Sequence, residues 1–186
     1  KLAKLFQNST DQFKTLDLNK LSSINKKILT GQTQKMIKIS EAVFDKNLID
    51  IAEEINKDKD IKMILVSGPT SSGKTTFTER LQVHLEVLGY SPIMISMDDY
   101  FLNREDTPLD DKGEYDFESP YAVNLDLFNK DMYRLLNKET IRRRKFDFLT
   151  GIGAYTEEYI VPSEETIMMI EGIHALNPII STLIPE

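Results

Sequence analysis

The segment that most constrains this chain is Gly68-Pro69-Thr70-Ser71-Ser72-Gly73-Lys74-Thr75, which matches the pattern G-x-x-x-x-G-K-[ST] at every fixed position. Glycines in such a loop allow the backbone to come close to a phosphate group. The loop N–H groups and the N-terminus of the following helix supply positive potential. Lys74 is expected to contact the terminal phosphates, and the Thr75 hydroxyl to bind Mg²⁺. Together with the adjoining Thr76, the segment predicts a binding site for ATP.

The surroundings of this loop predict an α/β unit. Residues 62–67 form a short apolar run, which is typical of a strand buried on both faces of a parallel sheet. Residues 92–97 form a second such run, and between the two the apolar residues recur at helical spacing up to Gly89, which can end the helix. These helical positions are Phe77, Leu81, Leu85 and Leu88. A chance match of the loop pattern in a turn rich in glycine and serine is the alternative, and this context disfavours it.

The rest of the chain continues the alternation of helix and strand. Residues 98–124 are polar and aromatic and are predicted to be mostly loop, a length that is typical of a lid or a binding loop. A helix is predicted over 125–136, a short strand over 159–161 and a buried strand over 166–170. We therefore predict an α/β fold of the P-loop NTPase type, with three layers and a mostly parallel sheet.

Two regions of different character divide the sequence. Residues 1–60 are rich in Lys, Asn, Asp and Ile, and we expect them to be a short helical lead-in or the end of an upstream domain. Within them, 47–56 has helical spacing and 57–60 forms a charged link. Residues 61–186 form the predicted P-loop domain. Because the chain begins with Lys1, we expect a piece of a longer protein, and its first residues lack the pattern of a secretory signal.

Composition narrows the function classes. The net charge of -7 gives no overall basic field for nucleic acid, whereas a phosphate loop needs only local positive groups. The absence of cysteine excludes disulfides, thiolate metal sites and thiol nucleophiles. No apolar run approaches the roughly 20 residues of a membrane-spanning helix. We expect a cytoplasmic protein that acts on a small molecule, without direct contact with nucleic acid or membrane.

Acidic residues follow two of the predicted strands. Asp98 and Asp99 come directly after one, and Glu171 ends another. Because ligands of open α/β sheets lie beyond the carboxyl ends of the strands, these acids should face the same crevice as the phosphate loop. Asp98 could accept the proton of an attacking hydroxyl or hold Mg²⁺ through water, and Glu171 could join Thr75 around Mg²⁺. The alternative is that these acids are polar strand ends that face solvent.

Other features are less specific. A packing or surface role is favoured for His84 and His174, although His174 could approach the site from its place after Glu171. The run 142–145, Arg-Arg-Arg-Lys, is interpreted as a solvated charge run rather than a phosphate attractant. The aromatic residues of the loops could pack in the core or form a flat slot for a nucleobase. These residues are Tyr100, Phe101, Tyr115, Phe117, Phe146 and Phe148.

As a set, the motifs resemble the uridine kinase and phosphoribulokinase family. The matching segments are GPTSSGKTTF at 68–77, ISMDDYF at 95–101, GEYDFESP at 113–120, KFDFLTG at 145–151 and MMIEGIHALNP at 168–178. Residues 30–60 are similar to the lead-in of bacterial multidomain members that carry a TGS domain and a threonyl-tRNA-synthetase-like domain. The resemblance implies fusion to such upstream domains and leaves a homo-oligomer open.

The resemblance also implies roles for individual residues. Lys74 and Thr75 would bind ATP and Mg²⁺, Asp98 would activate the 5′-hydroxyl of a nucleoside of the uridine or cytidine type, and Glu171 would be the Mg²⁺-associated acid. The family's acceptor-site positions are Phe101 for the pocket wall, Phe117 with Glu118 for the ribose hydroxyls, and Phe146 for the base.

Two departures from the family pattern shape the expectations. Gly151 occupies the place where uridine-cytidine kinases have a histidine that contacts the base. The chain also stops at Glu186, before the family's arginine-bearing lid, so we expect an incomplete C-terminal end, weak nucleotide binding and poor turnover of this chain alone. Alternatives are a P-loop kinase for another small hydroxyl compound, such as a sugar phosphate or pantothenate, or a nucleotide-binding regulatory module with little catalysis.

Overall fold

The structure, a computed structural model, describes residue 14 and residues 16–181. The predictions for the first residues and for the chain end at Glu186 lie outside the described residues. The chain packs as two compact units, residues 1–47 and residues 48–186. The domain boundary that we expected between residues 60 and 61 stays a prediction.

The described part of the first unit is helical, as the sequence predicted. Helix α1 spans Leu21–Leu29 and carries Lys26 and Lys27 in its last turn, where positive charge is favourable. Gly31 adopts a φ of 72°, which lets the N–H of Gln32 donate to the carbonyl of Lys27 at 2.8 Å and closes the turn. Helix α2 spans Thr33–Asn56 and includes the predicted helix over 47–56.

The second unit contains a parallel sheet of three described strands. Strand β1 spans Met63–Ser67, β2 spans Ser91–Ser96 and β5 spans Thr166–Gly172. The order is β1-β5-β2, and both outer strands run parallel to β5. The α/β prediction with a parallel sheet is confirmed. The two strands that flank the phosphate loop helix are not neighbours, because β5 lies between them.

Burial follows this strand order. In β5, every residue from Ile167 to Ile170 is buried, because this strand pairs on both sides. Strand β1 is half-buried along its whole length. The prediction that β1 is buried on both faces is therefore wrong. Among the described strands β1 pairs only with β5, so it lies at an edge of this sheet.

Helices cover both faces of the sheet. Helix α3, Lys74–Val87, contacts all three strands and buries Leu81 and Leu85. Helix α4, Leu125–Leu136, was predicted with these bounds and adds its buried side chains to the core on the other face. Burial of each such large apolar side chain stabilises the fold by about 1.5–3 kcal/mol. The side chains that α4 and β5 contribute to this core are Phe128, Met132, Leu135, Met168 and Ile170.

The predicted loop between β2 and α4 is confirmed, with short 3₁₀ turns at Met97–Tyr100, Arg104–Asp106 and Pro120–Ala122. The N–H of Leu102 donates to the carbonyl of Ala122 at 2.8 Å. The loop ends at Asn124, whose side-chain oxygen accepts the N–H of Leu127 at 3.0 Å and caps α4.

An antiparallel hairpin was not predicted. Strand β3 spans Ile141–Asp147 and β4 spans Ile152–Ile160, with an irregularity between Arg142 and Arg144. The prediction had placed only a short strand at 159–161. After β5, the short helix α5 spans Pro178–Ser181. No helix among the described residues combines the length and apolar character needed to cross a membrane.

Candidate active site

The phosphate loop connects β1 to α3 through a compact turn. Ser71 and Gly73 have φ values of 59° and 87°, in the left-handed region. A Cβ added at Gly68 would lie 2.8 Å from Ser72 Oγ, so this position tolerates only glycine without a shift. Gly73 caps α3 without a side-chain hydrogen bond. The first N–H groups of α3 are therefore not satisfied by a capping side chain and can donate to an anion.

Lys74 lies back across this loop. Its Nζ donates to the carbonyl of Pro69 at 2.9 Å, and the N–H of Ser72 donates to the same carbonyl at 3.2 Å. The ammonium group is held beside the loop backbone, near the surface. A phosphate group would compete with one neutral carbonyl for this ammonium group. An anion is the stronger acceptor, because charge-assisted hydrogen bonds are about twice as strong as neutral ones.

Thr75 and Glu171 meet at the end of the sheet. Thr75 Oγ1 lies 3.1 Å and 3.3 Å from the two carboxylate oxygens of Glu171 and donates to them. The register of β1 and β5 pairs Val66 with Glu171, and Ser67 Oγ donates to the carbonyl of Ile173 at 2.9 Å. A hydroxyl and a carboxylate are oxygen ligands of the kind that Mg²⁺ prefers, and they converge. The predicted metal pair fits such an ion.

Asp98 lies in the 3₁₀ turn directly after β2, where Ser96 pairs with Glu171. Burial raises the pKa of its carboxyl group, and the negative charge of Glu171 raises it further, while Lys74 and His174 act in the opposite direction. The predicted base is therefore electrostatically coupled to both the phosphate-loop lysine and the metal-associated acid. A half-buried carboxylate in this place is suited to accept a proton from a hydroxyl.

Asp99 has a different environment from its neighbour. Its carboxylate forms an ion pair with Lys145 at 2.8 Å and accepts the N–H of Phe146 at 3.4 Å. Both partners belong to β3, so Asp99 connects the turn to the hairpin. The sequence had left the role of Asp99 open, and these contacts are structural.

The aromatic residues expected at the acceptor site form one cluster. The ring centroid of Phe101 lies 5.8 Å from Phe117, 5.6 Å from Phe146 and 5.9 Å from Phe148, all edge to face. Tyr115 extends the cluster, 6.4 Å from Phe117. Phe101 is buried in the core, whereas Phe148 is 56% exposed. Core packing therefore accounts for Phe101 and Phe146, and a flat slot for a nucleobase stays a prediction.

Tyr100 does not belong to this cluster. Its ring packs edge to face on Phe128 at 5.3 Å, and its hydroxyl donates to Asp131 at 3.1 Å inside the core. Burial raises the pKa of Asp131, and the hydrogen bond from Tyr100 opposes that effect. This buried hydrogen bond connects helix α4 to the turn that contains Asp98. Sequence periodicity gave no signal for it.

Glu118 and His174 approach each other from distant parts of the chain. Nε2 of His174 lies 2.7 Å from the carbonyl oxygen of Glu118, while the Glu118 side chain is exposed. The same loop is stabilised by the N–H of Glu118 donating to Asp116 at 3.0 Å. His174 also lowers the pKa of the Asp98 carboxyl group, which indicates that it lies near the site. Its hydrogen bond nevertheless agrees with the structural role that the sequence favoured.

The basic run of β3 is partly solvated, as the sequence predicted, and also forms ion pairs and hydrogen bonds. Arg142 and Arg143 form ion pairs with Glu157 at 2.8 Å and Glu158 at 3.1 Å. The remaining two residues contact the turn after β2, Lys145 through Asp99 and Arg144 through backbone carbonyls. Sequence reasoning missed these contacts, and recognition of the hairpin would have been needed to find them.

Gly151 has a local reason to be glycine. Its φ is 73°, and an added Cβ would lie 2.7 Å from the Cβ of Arg104 and 2.8 Å from its Nε. The N–H of Arg104 donates to the carbonyl of Gly151 at 2.8 Å. A histidine at this position would displace Arg104. The packing here therefore favours glycine over the histidine of the family pattern.

Comparison with known proteins agrees with this geometry. The model of the phosphoribulokinase / uridine kinase family matches residues 63–179, more than half of the chain. A uridine kinase from Leuconostoc citreum is 28% identical over 115 residues, covering 62% of this chain and 54% of that protein. One from Ligilactobacillus salivarius is 28% identical over 122 residues, covering 66% and 55%. The chain thus spans about half the length of these curated relatives.

A solved structure gives the same fold. It is described as a possible uridine kinase from Bacillus stearothermophilus, and it superposes with a TM-score of 0.57 at 23% sequence identity. The match covers 68% of this chain and 70% of that one. At this level of identity the likeness supports the fold alone.

Proposed function

The chain belongs to the phosphoribulokinase and uridine kinase family, and from this we propose that it transfers the γ-phosphoryl group of ATP to the 5′-hydroxyl of a nucleoside of the uridine or cytidine type. The observation that carries the proposal is the convergence at one end of the sheet. There the phosphate loop, the Thr75–Glu171 pair and the half-buried Asp98 lie beside an aromatic cluster.

The phosphate loop, residues 68–76, would bind the phosphates of ATP. Its N–H groups and the uncapped N-terminus of α3 supply donors, and Lys74 would exchange the Pro69 carbonyl for phosphate oxygens. Thr75 and Glu171 would hold Mg²⁺, which when bound offsets the charge of the phosphates. These groups would orient the γ-phosphoryl group toward the end of the sheet at which Asp98 lies.

Asp98 would act as the base. As the acceptor oxygen forms its bond to the γ-phosphorus, the bond between that phosphorus and the β-γ bridging oxygen breaks and ADP leaves. The proton of the hydroxyl passes to the Asp98 carboxylate. The raised pKa of Asp98 favours this step, because a stronger base takes a hydroxyl proton more readily.

Different residues of the acceptor side would contact the base and the ribose of the nucleoside. Phe117 would offer the accessible apolar surface for the base, with Phe101 and Phe146 buried behind it, and the exposed Glu118 would face the ribose hydroxyls. The position of Gly151 offers no side chain to the base. Recognition of the base edge would therefore depend on other groups than the family's histidine.

An acceptor screen tests the proposal. The full-length protein is incubated with ATP and Mg²⁺, and ADP release is followed with uridine, cytidine, sugar phosphates and pantothenate in turn. Stimulation by uridine or cytidine supports the proposed reaction, and Lys74→Met should abolish it. Stimulation by a different acceptor alone would contradict the nucleoside assignment but retain a kinase.

A second candidate, a nucleotide-binding regulatory module, is favoured by one observation. Arg104 occupies the space beside Gly151, where a base-contacting side chain would otherwise lie. If ATP binds and no acceptor stimulates ADP release, this candidate replaces the kinase. We further propose a cytoplasmic location, a small-molecule acceptor and fusion to upstream domains; light scattering of the full-length protein would establish whether it forms a homo-oligomer.

A further inference from the structure

We infer that Arg144 is a positioning residue, which holds the turn carrying Asp98 and Phe101 in place from the neighbouring hairpin. This inference rests on the proposed function for its catalytic consequence. The contacts that carry it are independent of that function. Nothing in the family resemblance assigns a role to this position.

The guanidinium of Arg144 binds two carbonyls of the turn. Its Nε donates to the carbonyl of Asp99 at 3.0 Å, and one terminal nitrogen donates to the carbonyl of Phe101 at 3.3 Å. Arg144 is half-buried, so water competes little for these donors. Because the two carbonyls flank Tyr100, one rigid planar group fixes the backbone of the segment between the proposed base and the acceptor pocket.

The hairpin makes room for this guanidinium with a glycine. Gly153 lies on β4, where it pairs with Phe146 of β3. A Cβ added at Gly153 would overlap the terminal nitrogen of Arg144 and approach its Cζ to 2.5 Å. The N–H of Gly153 donates to Asn103 Oδ1 at 3.2 Å, which keeps β4 close to the same loop. Even an alanine here must displace the guanidinium or the strand.

Arg142 is the matched control on the same strand. It is also a half-buried arginine of β3, and its Nε donates to a backbone carbonyl, that of Thr156. Its ion pair with Glu157 and this hydrogen bond both stay within the hairpin. Loss of Arg142 should therefore disturb the hairpin without releasing the turn.

Loss of Arg144 should affect use of the acceptor and not binding of ATP. When Arg144 is lost, the Asp98 carboxylate and the Phe101 ring lose a common support, while the contacts within the phosphate loop, such as that of Lys74 with Pro69, are kept. Misplacement of a reacting group by about 1 Å can lower a rate by about 100-fold. We expect kcat for uridine to fall and its KM to rise, with the KM for ATP unchanged.

The test compares Arg144→Met, Gly153→Ala and Arg142→Met in the full-length protein. The first two should lower kcat/KM for uridine by about 10–100-fold, and Arg142→Met by less than about threefold. Ethylguanidinium added to Arg144→Ala should restore part of the lost rate, which a general defect in folding would not allow. Equal activity of Gly153→Ala and the wild-type protein would overturn the inference.

Hydrogen exchange supplies a readout that does not need activity. The N–H groups of Leu102 and Asn124, which donate to Ala122 and Tyr100, should exchange faster in Gly153→Ala and Arg144→Met than in Arg142→Met. If the wild-type protein phosphorylates no acceptor, the proposed function fails, and the exchange result still decides whether Arg144 holds the turn. Unchanged exchange in both variants overturns the inference in either case.

Discussion

The proposed phosphate region, residues 68–76, and the proposed acceptor region are constructed differently. The phosphate region is one continuous segment, and its loop bonds join residues a few positions apart, such as Ser72 and Lys74 to Pro69. The acceptor region joins three distant segments, represented by Phe101, Phe117 and Phe146, through ring packing and hairpin contacts. The geometry of the loop is therefore set mainly by local contacts, whereas the aromatic cluster depends on the packing of distant segments.

This difference predicts that changes in the two regions separate binding from chemistry and stability. Mutations of the phosphate loop should affect nucleotide binding with little effect on the free energy of unfolding. Mutations of the acceptor region should affect transfer and stability together.

The largest effect is expected for Asp98→Asn. Removal of the proposed base should lower kcat by about 10²–10⁴-fold, because a positioned general base contributes about that much. The affinity for ATP should stay near the wild-type value, since the loop contacts of Lys74 are unchanged. Single-turnover kinetics and a nucleotide-binding titration measure the two quantities. A wild-type rate for the variant would show that another group accepts the proton.

Phe101→Ala and Lys74→Met contrast the two regions in stability. Phe101 is 4% exposed and contacts three other rings, so its truncation should lower the free energy of unfolding by about 3–5 kcal/mol. Lys74→Met should change it by less than about 0.5 kcal/mol, because only one hydrogen bond near the surface is lost. Urea unfolding measures both. Equal losses would remove the distinction between a local and an assembled region.

Part of this architecture could be predicted from the sequence. The phosphate loop was found because its pattern is contiguous, and Asp98 and Glu171 because acids at strand ends of an open sheet face a common crevice. The structure brings Glu171 to Thr75 and couples it electrostatically to Asp98. The roles of these residues remain proposals.

The hairpin and its contacts could not be predicted. The Arg-Arg-Arg-Lys run of β3 conceals the alternation typical of a strand, and the irregularity between Arg142 and Arg144 breaks its period. Partners of Arg144 lie more than 40 residues away. The position of β5 between β1 and β2 is likewise a property of the whole sheet, and no single segment specifies it.

A smaller effect is expected for Tyr100→Phe. Loss of the hydroxyl leaves the buried Asp131 without its donor, which should lower the free energy of unfolding by about 1–3 kcal/mol at neutral pH. The donor favours the ionised form of Asp131, so the loss should shrink when acid protonates that group. Tyr133→Phe, at a 59% exposed position of helix α4, is the control. Equal effects of the two variants would exclude a specific role for the buried hydrogen bond.

The smallest effect concerns the stability of Asp98→Asn without metal or nucleotide. The pKa of Asp98 is raised in the folded state, so between its unfolded and folded pKa the folded protein binds more protons. Wild-type stability therefore falls as pH rises through this window, and the variant escapes that loss. The variant should be the more stable protein at neutral pH, with the difference vanishing in acid. Urea unfolding at both pH values measures the stability difference between the two proteins. A larger difference in acid than at neutral pH would contradict this expectation.

The central claim is phosphoryl transfer to a nucleoside at Asp98, and identification of the product tests it most directly. The full-length protein is incubated with ATP, Mg²⁺ and uridine, and the products are resolved by phosphorus NMR and mass spectrometry, with Asp98→Asn in parallel. The account predicts uridine 5′-monophosphate from the wild-type protein and only traces from the variant. Bound ATP with no phosphorylated nucleoside from uridine or cytidine would contradict it.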